Sequence, residues 1–132
     1  MSITAYKRTI AQTESPRQIE RRVLSQVTAE LEHYGPAFDT AEQKSDKLTA
    51  LAGGLRDALW KNQRLWLALQ TDLSQPGNQL PADLRAGLLS LSVWVNRHTQ
   101  AVMKGQNRVR PLVDINRSII RALEGNPLQV ME

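Results

Sequence analysis

The stretch LTALAGGLRDALWKNQRLWLALQTDL, residues 48–73, decides the fold. Leu48, Leu51, Leu55, Leu59, Asn62, Trp66, Leu69 and Leu73 recur in it at steps of three or four residues. That spacing places them all on one face of an α-helix. Such a stripe has to be covered by other helices or by a partner. Gly53-Gly54 lies inside it, and each glycine costs roughly 1 kcal/mol of helix propensity. The pair therefore predicts a kink or the close approach of a neighbouring helix. Asn62 is the only polar residue in the stripe, and it stands between the large aromatics Trp60 and Trp66.

Similar stripes lie on either side. Upstream, Ser15 is a good N-cap, Pro16 suits the first helical position and Gln18 completes a capping-box pattern. Ile19, Val23, Val27, Leu31 and Tyr34, flanked by Leu24, then predict a helix that Gly35-Pro36 should end. Asp39 or Thr40 is expected to cap the element that follows. Before Pro16, Ala5, Tyr6 and Ile10 give residues 3–11 a small apolar edge and predict a short helix. Downstream, Pro76-Gly77-Asn78 marks a loop and Pro81 restarts a helix. Its stripe is Leu84, Leu88, Leu91, Val95, His98 and Val102, with Gly105 as the stop. Residues 106–110 read as a basic connector. Pro111 opens a last helix with Leu112, Asn116, Ile119 and Leu123 in line, Val113 and Ile120 beside them, and Gly125-Asn126-Pro127 at its end. No run alternates with period two between hairpin turns. The expected architecture is all-α: one domain over residues 1–125, a bundle of four main helices plus a short N-terminal helix, with residues 126–132 as a flexible tail.

Composition fits a single folded domain. The chain has 132 residues, with 41% hydrophobic and 23% charged, both near globular values. Its net charge of +4 permits an RNA or acidic partner without requiring one. Residues 81–132 carry seven Lys and Arg against four Asp and Glu, whereas residues 1–73 are nearly balanced, ten against nine. The absence of cysteine excludes disulfides, thiol nucleophiles and cysteine-ligated zinc. No apolar run approaches the ~20 residues of a membrane span, and no signal-peptide pattern opens the chain. The expectation is a cytoplasmic protein with no membrane insertion.

The chain offers little catalytic chemistry. His33 and His98 fall in different helices, with no carboxylate at metal-ligand spacing. His98 completes an apolar stripe and reads as a core or edge histidine with one hydrogen-bond partner. No phosphate loop or nucleophile elbow is present. The expectation is therefore no enzyme, no cofactor, no metal and no catalytic residue. Asn62 and Asn116 interrupt apolar stripes, either to fix helix register from inside or to recognise a partner's backbone. Trp60, Trp66 and Trp94 lie on or near stripes and read as core filling. An exposed tryptophan would instead mark a binding surface. Lys104, Arg108 and Arg110 form a basic cluster at a helix junction. It reads as a solvated loop because no aromatic interleaves it for base stacking. Asn62, Arg64, Trp66, Trp94, His98 and Asn116 are the candidate partner-binding residues.

Several short motifs occur in a familiar order. They are Ala5-Tyr6, Thr13-Glu14-Ser15-Pro16-Arg17 with Glu20, and Asn62-Gln63-Arg64-Leu65-Trp66 with Leu69 and Asp72-Leu73. Trp94-Val95 with His98-Thr99 follows, then Leu112-Val113-Asp114-Ile115-Asn116 with Ile119-Ile120. In this order and spacing, over about residues 4–125, the chain resembles the FlaF family of bacterial flagellar biosynthesis regulators. The resemblance implies a small cytoplasmic protein of flagellum assembly, without enzyme activity, that supports flagellin production. The family is linked to flagellin secretion and to the companion regulator FlbT. The favoured mechanism is an export chaperone that covers an amphipathic, disordered segment of flagellin by the helix-in-groove mode. The alternative is a post-transcriptional regulator that contacts flagellin mRNA directly or together with FlbT. A structural adaptor between flagellar proteins is the third class.

Overall fold

The computed structural model describes residues 16–125. Helix α1 spans Pro16–Thr40, α2 Lys44–Ala50, a π-helical segment Leu51–Leu55, α3 Arg56–Leu73, α4 Ala82–Met103 and α5 Arg110–Gly125. No strand occurs among the described residues. The expected short helix at residues 3–11 and the tail at 126–132 lie outside them.

The 48–73 stretch folds largely as its spacing predicts. α2, the π segment and α3 run on as one rod. Within the π segment Gly54 alone leaves helical geometry, at φ 125°. Both expectations for the glycine pair are met at this residue. The rod kinks at Gly54, and the Tyr34 ring packs so closely that a Cβ there would lie 2.6 Å from its Cε1. Leu51, Leu55, Leu59, Asn62, Trp66 and Leu73 are buried, and Leu69 packs against the core. Leu48 departs from the stripe. It sits one turn before the π segment, on a helix with no buried residue, and is exposed.

α1 opens at Pro16 as expected but does not stop at Gly35-Pro36. It continues to Thr40, with Pro36 inside and exposed. An interior proline costs about 3 kcal/mol. The added turn buries Phe38 completely, which is worth up to about 3 kcal/mol. Gly35 ends nothing. It is a contact point, where a Cβ would meet Val109 Cγ1 at 3.1 Å. The buried face of α1 is Leu24, Val27, Thr28, Leu31, Gly35 and Phe38, turned from the predicted stripe because α5 packs on one flank and α3 on the other.

The same extra turn overturns the capping expectation. Asp39 and Thr40 do not cap α2; the residue before α2 is Gln43, which makes no side-chain cap. The Thr40 hydroxyl donates back to the Pro36 carbonyl at 2.8 Å. Asp39 instead receives the backbone N–H of Val109 at 2.6 Å and that of Arg110 at 3.0 Å, and so caps α5. The carboxylate meets otherwise unpaired N–H groups at the positive end of that helix. Asp39→Ala should cost about 1–2 kcal/mol, read as a lower urea midpoint with unchanged slope. An unchanged midpoint would remove Asp39 from this role.

Long-range pairs fix the helix order. Lys61 Nζ reaches Glu30 Oε1 at 3.1 Å, and Tyr34 lies over Gly54, so α1 and α3 are antiparallel. Arg117 pairs with Glu32 while Asp39 holds Val109, so α1 and α5 are antiparallel too. Gln63 bonds Asn96, which joins α3 to α4. Glu30, and after it Asp57, holds the Lys61 ammonium above its ordinary value. That small, exposed contribution is present at neutral pH and is lost as pH rises past the lysine range.

The two ends of the bundle differ. At the end holding Phe38, Leu51, Leu55, Val102, Val109 and Leu112 the core is fully closed. At the other end α4 runs from Ala82 to Leu91 without one buried residue, and Leu84 and Leu88 are only half covered. Further along, α4 buries Ser92, Val95, Thr99 and Val102. Of its predicted stripe, Val95 and Val102 alone are fully covered. Hydroxyl residues take the remaining core positions because each satisfies itself within its own helix. Ser92 donates to Leu89 O and Thr99 to Val95 O, both at 2.7 Å. Thr28 does the same with Leu24 O in α1.

Candidate partner-binding surface

The six residues selected from sequence separate into an inner and an outer group. Asn62, Trp66 and Asn116 are inside, essentially without solvent contact. Trp66 Nε1 donates to Asn116 Oδ1 at 2.9 Å, and Asn116 Nδ2 donates to Asn62 Oδ1 at 2.8 Å. The chain ties α3 to α5 at one register, since sliding either helix by a turn would strand several buried polar atoms. Asn62 Nδ2 is the one member with no acceptor. These three residues lock the interior and present nothing to the surface.

Arg64, Trp94 and His98 lie outside that lock. Trp94 is 38% exposed and stacks on His98, with centroids 4.7 Å apart and planes 18° from parallel. His98 Nε2 donates to the Arg108 carbonyl at 2.7 Å. It is an edge histidine with one backbone partner, and it fixes the ring under Trp94. Arg64 is remote from this pair. Its guanidinium lies 4.8 Å over the ring of Trp60, which is 51% exposed.

Sequence reasoning missed Trp60, Leu67 and Val93 as site residues, although all three are exposed. Trp60 and Leu67 are seven residues apart and so share a face of α3. The Gln63–Asn96 bond sets the antiparallel register of α3 and α4 and brings Leu67 level with Val93. The result is an apolar strip along the outer α3–α4 seam, with Arg64 beside it. A signal existed, since Trp60 and Leu67 are out of phase with the buried stripe. It is weak because a tryptophan beside an apolar stripe reads equally well as core filling.

The Lys104, Arg108 and Arg110 cluster is where expected, at the turn from α4 to α5. Arg110 pairs with Asp114 at 3.0 Å. Among the described residues no group of three or more His, Cys, Asp or Glu is placed to hold a metal ion. No described helix is long and apolar enough to cross a membrane.

These features define the class: an all-α bundle locked inside by an amide–indole chain, with exposed tryptophans on α3 and α4. A model of the family described as "Flagellar protein FlaF" matches residues 2–123. The chain belongs to that family, and the family is a flagellar one. No curated protein and no solved structure matches the chain.

Proposed function

We propose that the protein is a cytoplasmic export chaperone for flagellin, without enzyme activity, that covers an amphipathic flagellin segment along the outer α3–α4 seam. The observation that carries this reading is the strip of Trp60, Leu67 and Val93, large apolar side chains left uncovered on a bundle whose core is otherwise made. Uncovered apolar surface beside an arginine-braced tryptophan has the composition of a binding hot spot. Arg64 holds the Trp60 ring in place through a contact worth about 0.5–1 kcal/mol at an exposed site. Trp94 and His98 offer a second aromatic anchor on α4. Flagellin supplies the partner through membership of the flagellar family, and FlbT is the companion protein of this reading. A chaperone must release its cargo at the export gate, so the affinity should be moderate.

The test is calorimetry with purified flagellin. Burial of an apolar segment should give a negative heat-capacity change and weak salt dependence. It should also protect that segment from limited proteolysis, because it is disordered when free. Trp60→Ala combined with Leu67→Ser should weaken binding by about tenfold or more and leave the melting temperature unchanged, since both side chains are exposed. Absence of binding at micromolar concentrations, even with FlbT present, would end the chaperone reading. Binding to flagellin mRNA that falls steeply with salt would replace it by the regulatory one.

A further inference from the structure

A second surface lies at the closed end of the bundle, away from the α3–α4 seam. The end of α1, helix α2 and the turn after α4 enclose a shallow groove of about 410 Å³. Phe38, Leu48 and Met103 contribute apolar lining, and Lys44, Lys47 and Lys104 contribute charge. None of the side chains lining it is acidic. Leu48 is 51% exposed and Met103 36%. We propose that this groove docks an acidic amphipathic segment of a partner protein, with an apolar anchor against Leu48 and Met103 and carboxylates at the three lysines.

The site is set before any partner arrives. Lys47 Nζ donates to the Phe38 carbonyl at 3.0 Å and stands 4.5 Å over the Phe38 ring, so one cation is held against the groove. Lys44 and Lys104 make no ion pair among the described residues and are exposed. Met103 and Lys104 are placed by a tight helix stop. Gln106 N–H bonds Ala101 O and Gly105 N–H bonds Val102 O, both at 2.9 Å, with Gly105 at φ 76°. This double return satisfies the last carbonyls of α4 and fixes the direction of its final turn. Methionine then offers an apolar contact that adapts to the anchor it meets.

The chemistry selects among occupants. RNA phosphates would meet the lysines but leave Leu48 and Met103 without an apolar partner, and base stacking finds no free aromatic face, because Phe38 is fully buried and Lys47 covers its ring. A second copy docking by a two-fold axis would bring the same three lysines against themselves, at a cost in charge repulsion. The described residues begin and end away from the groove. α1 spans roughly 37 Å from its start to the groove, and α5 begins beside the groove and runs away from it. An acidic, apolar-faced segment of another protein meets both the lining and the charge.

The probe is a synthetic helical peptide with leucines on one face and glutamates flanking them. Its controls are a version with lysine for glutamate, a version with serine for leucine, and polyuridylate. Fluorescence anisotropy with the full chain should show binding of the acidic leucine peptide alone. Lys44→Glu with Lys104→Glu should weaken it by about tenfold or more, as should Leu48→Ser with Met103→Ser. Trp60→Ala should leave it unchanged. Circular dichroism should show both double variants folded, because all four residues are exposed. Equal binding of acidic and basic peptides, undiminished binding to the charge-reversed variant, or no peptide binding would overturn the proposal. Polyuridylate binding lost in the charge-reversed variant, or a lysine-dependent dimer in sedimentation, would overturn it in favour of RNA or a second copy. Flagellin binding that depends on Trp60 is a separate readout, so either surface can fail without the other.

Discussion

Trp66→Ala should destabilise the fold by about 3–5 kcal/mol from the lost side chain and the cavity it leaves. Further cost comes from the amide–indole chain. Without the indole N–H, Asn116 Oδ1 keeps no partner in a site closed to water, a penalty of about 1–3 kcal/mol. Trp66→Phe separates the two contributions, because it retains most of the volume and removes only the donor. Urea titrations on both variants measure them. A Trp66→Ala protein with an unchanged midpoint would show that the side chain is not core, and an unperturbed Trp66→Phe would show that the bond to Asn116 carries no weight.

Gly54→Ala should be comparably severe, and for two reasons that can be taken apart. At φ 125° an L side chain is strained, at about 1–3 kcal/mol. The new methyl group would also stand 2.6 Å from Tyr34 Cε1, and overpacking of that kind costs about 1–3 kcal/mol. Adding Tyr34→Ala should relieve the second cost and leave the first, so the double variant should be less destabilised than additivity predicts. Gly53→Ala is the control. No heavy atom lies within 4 Å of the methyl it would add, and Gly53 is not at positive φ. That change should stabilise the rod by up to about 1 kcal/mol. Equal effects at the two glycines, measured by thermal melting, would refute this account of the kink.

The local half of both sites is legible in the 48–73 stretch, while their partners, Asn116 and Tyr34, lie in other helices. Helical spacing put Asn62 and Trp66 on one face, and the glycine pair announced a kink or a close neighbour. What could not be read was decided at a distance. Gly35-Pro36 looks like a stop, and only the burial of Phe38 in a finished core shows why the helix continues. Asp39 looks like a local cap, yet its partners are the N–H groups of Val109 and Arg110, seventy positions further along. Ser92 and Thr99 lie off the predicted stripe of α4, and they take core positions because their hydroxyls return to their own helix. The outer strip was hidden for a related reason. A one-dimensional pattern records that Trp60 and Leu67 are apolar, but not whether any neighbour covers them.

The uneven closure of the bundle has a consequence for how it yields. Because no side chain of α4 from Ala82 to Leu91 is itself fully buried, lifting that segment exposes less apolar surface than lifting the part that carries Val95 and Val102. Its opening energy therefore belongs near the fraying end of the scale and far below global unfolding. The opposite end, with Phe38, Leu55 and Val109 enclosed, opens only when the whole molecule does. The protein thus behaves as a fixed clasp with one compliant arm. Lifting the arm displaces the half-buried Leu84, Leu88, Leu89 and Leu91, and the register set by Asn62 and Asn116 is left untouched.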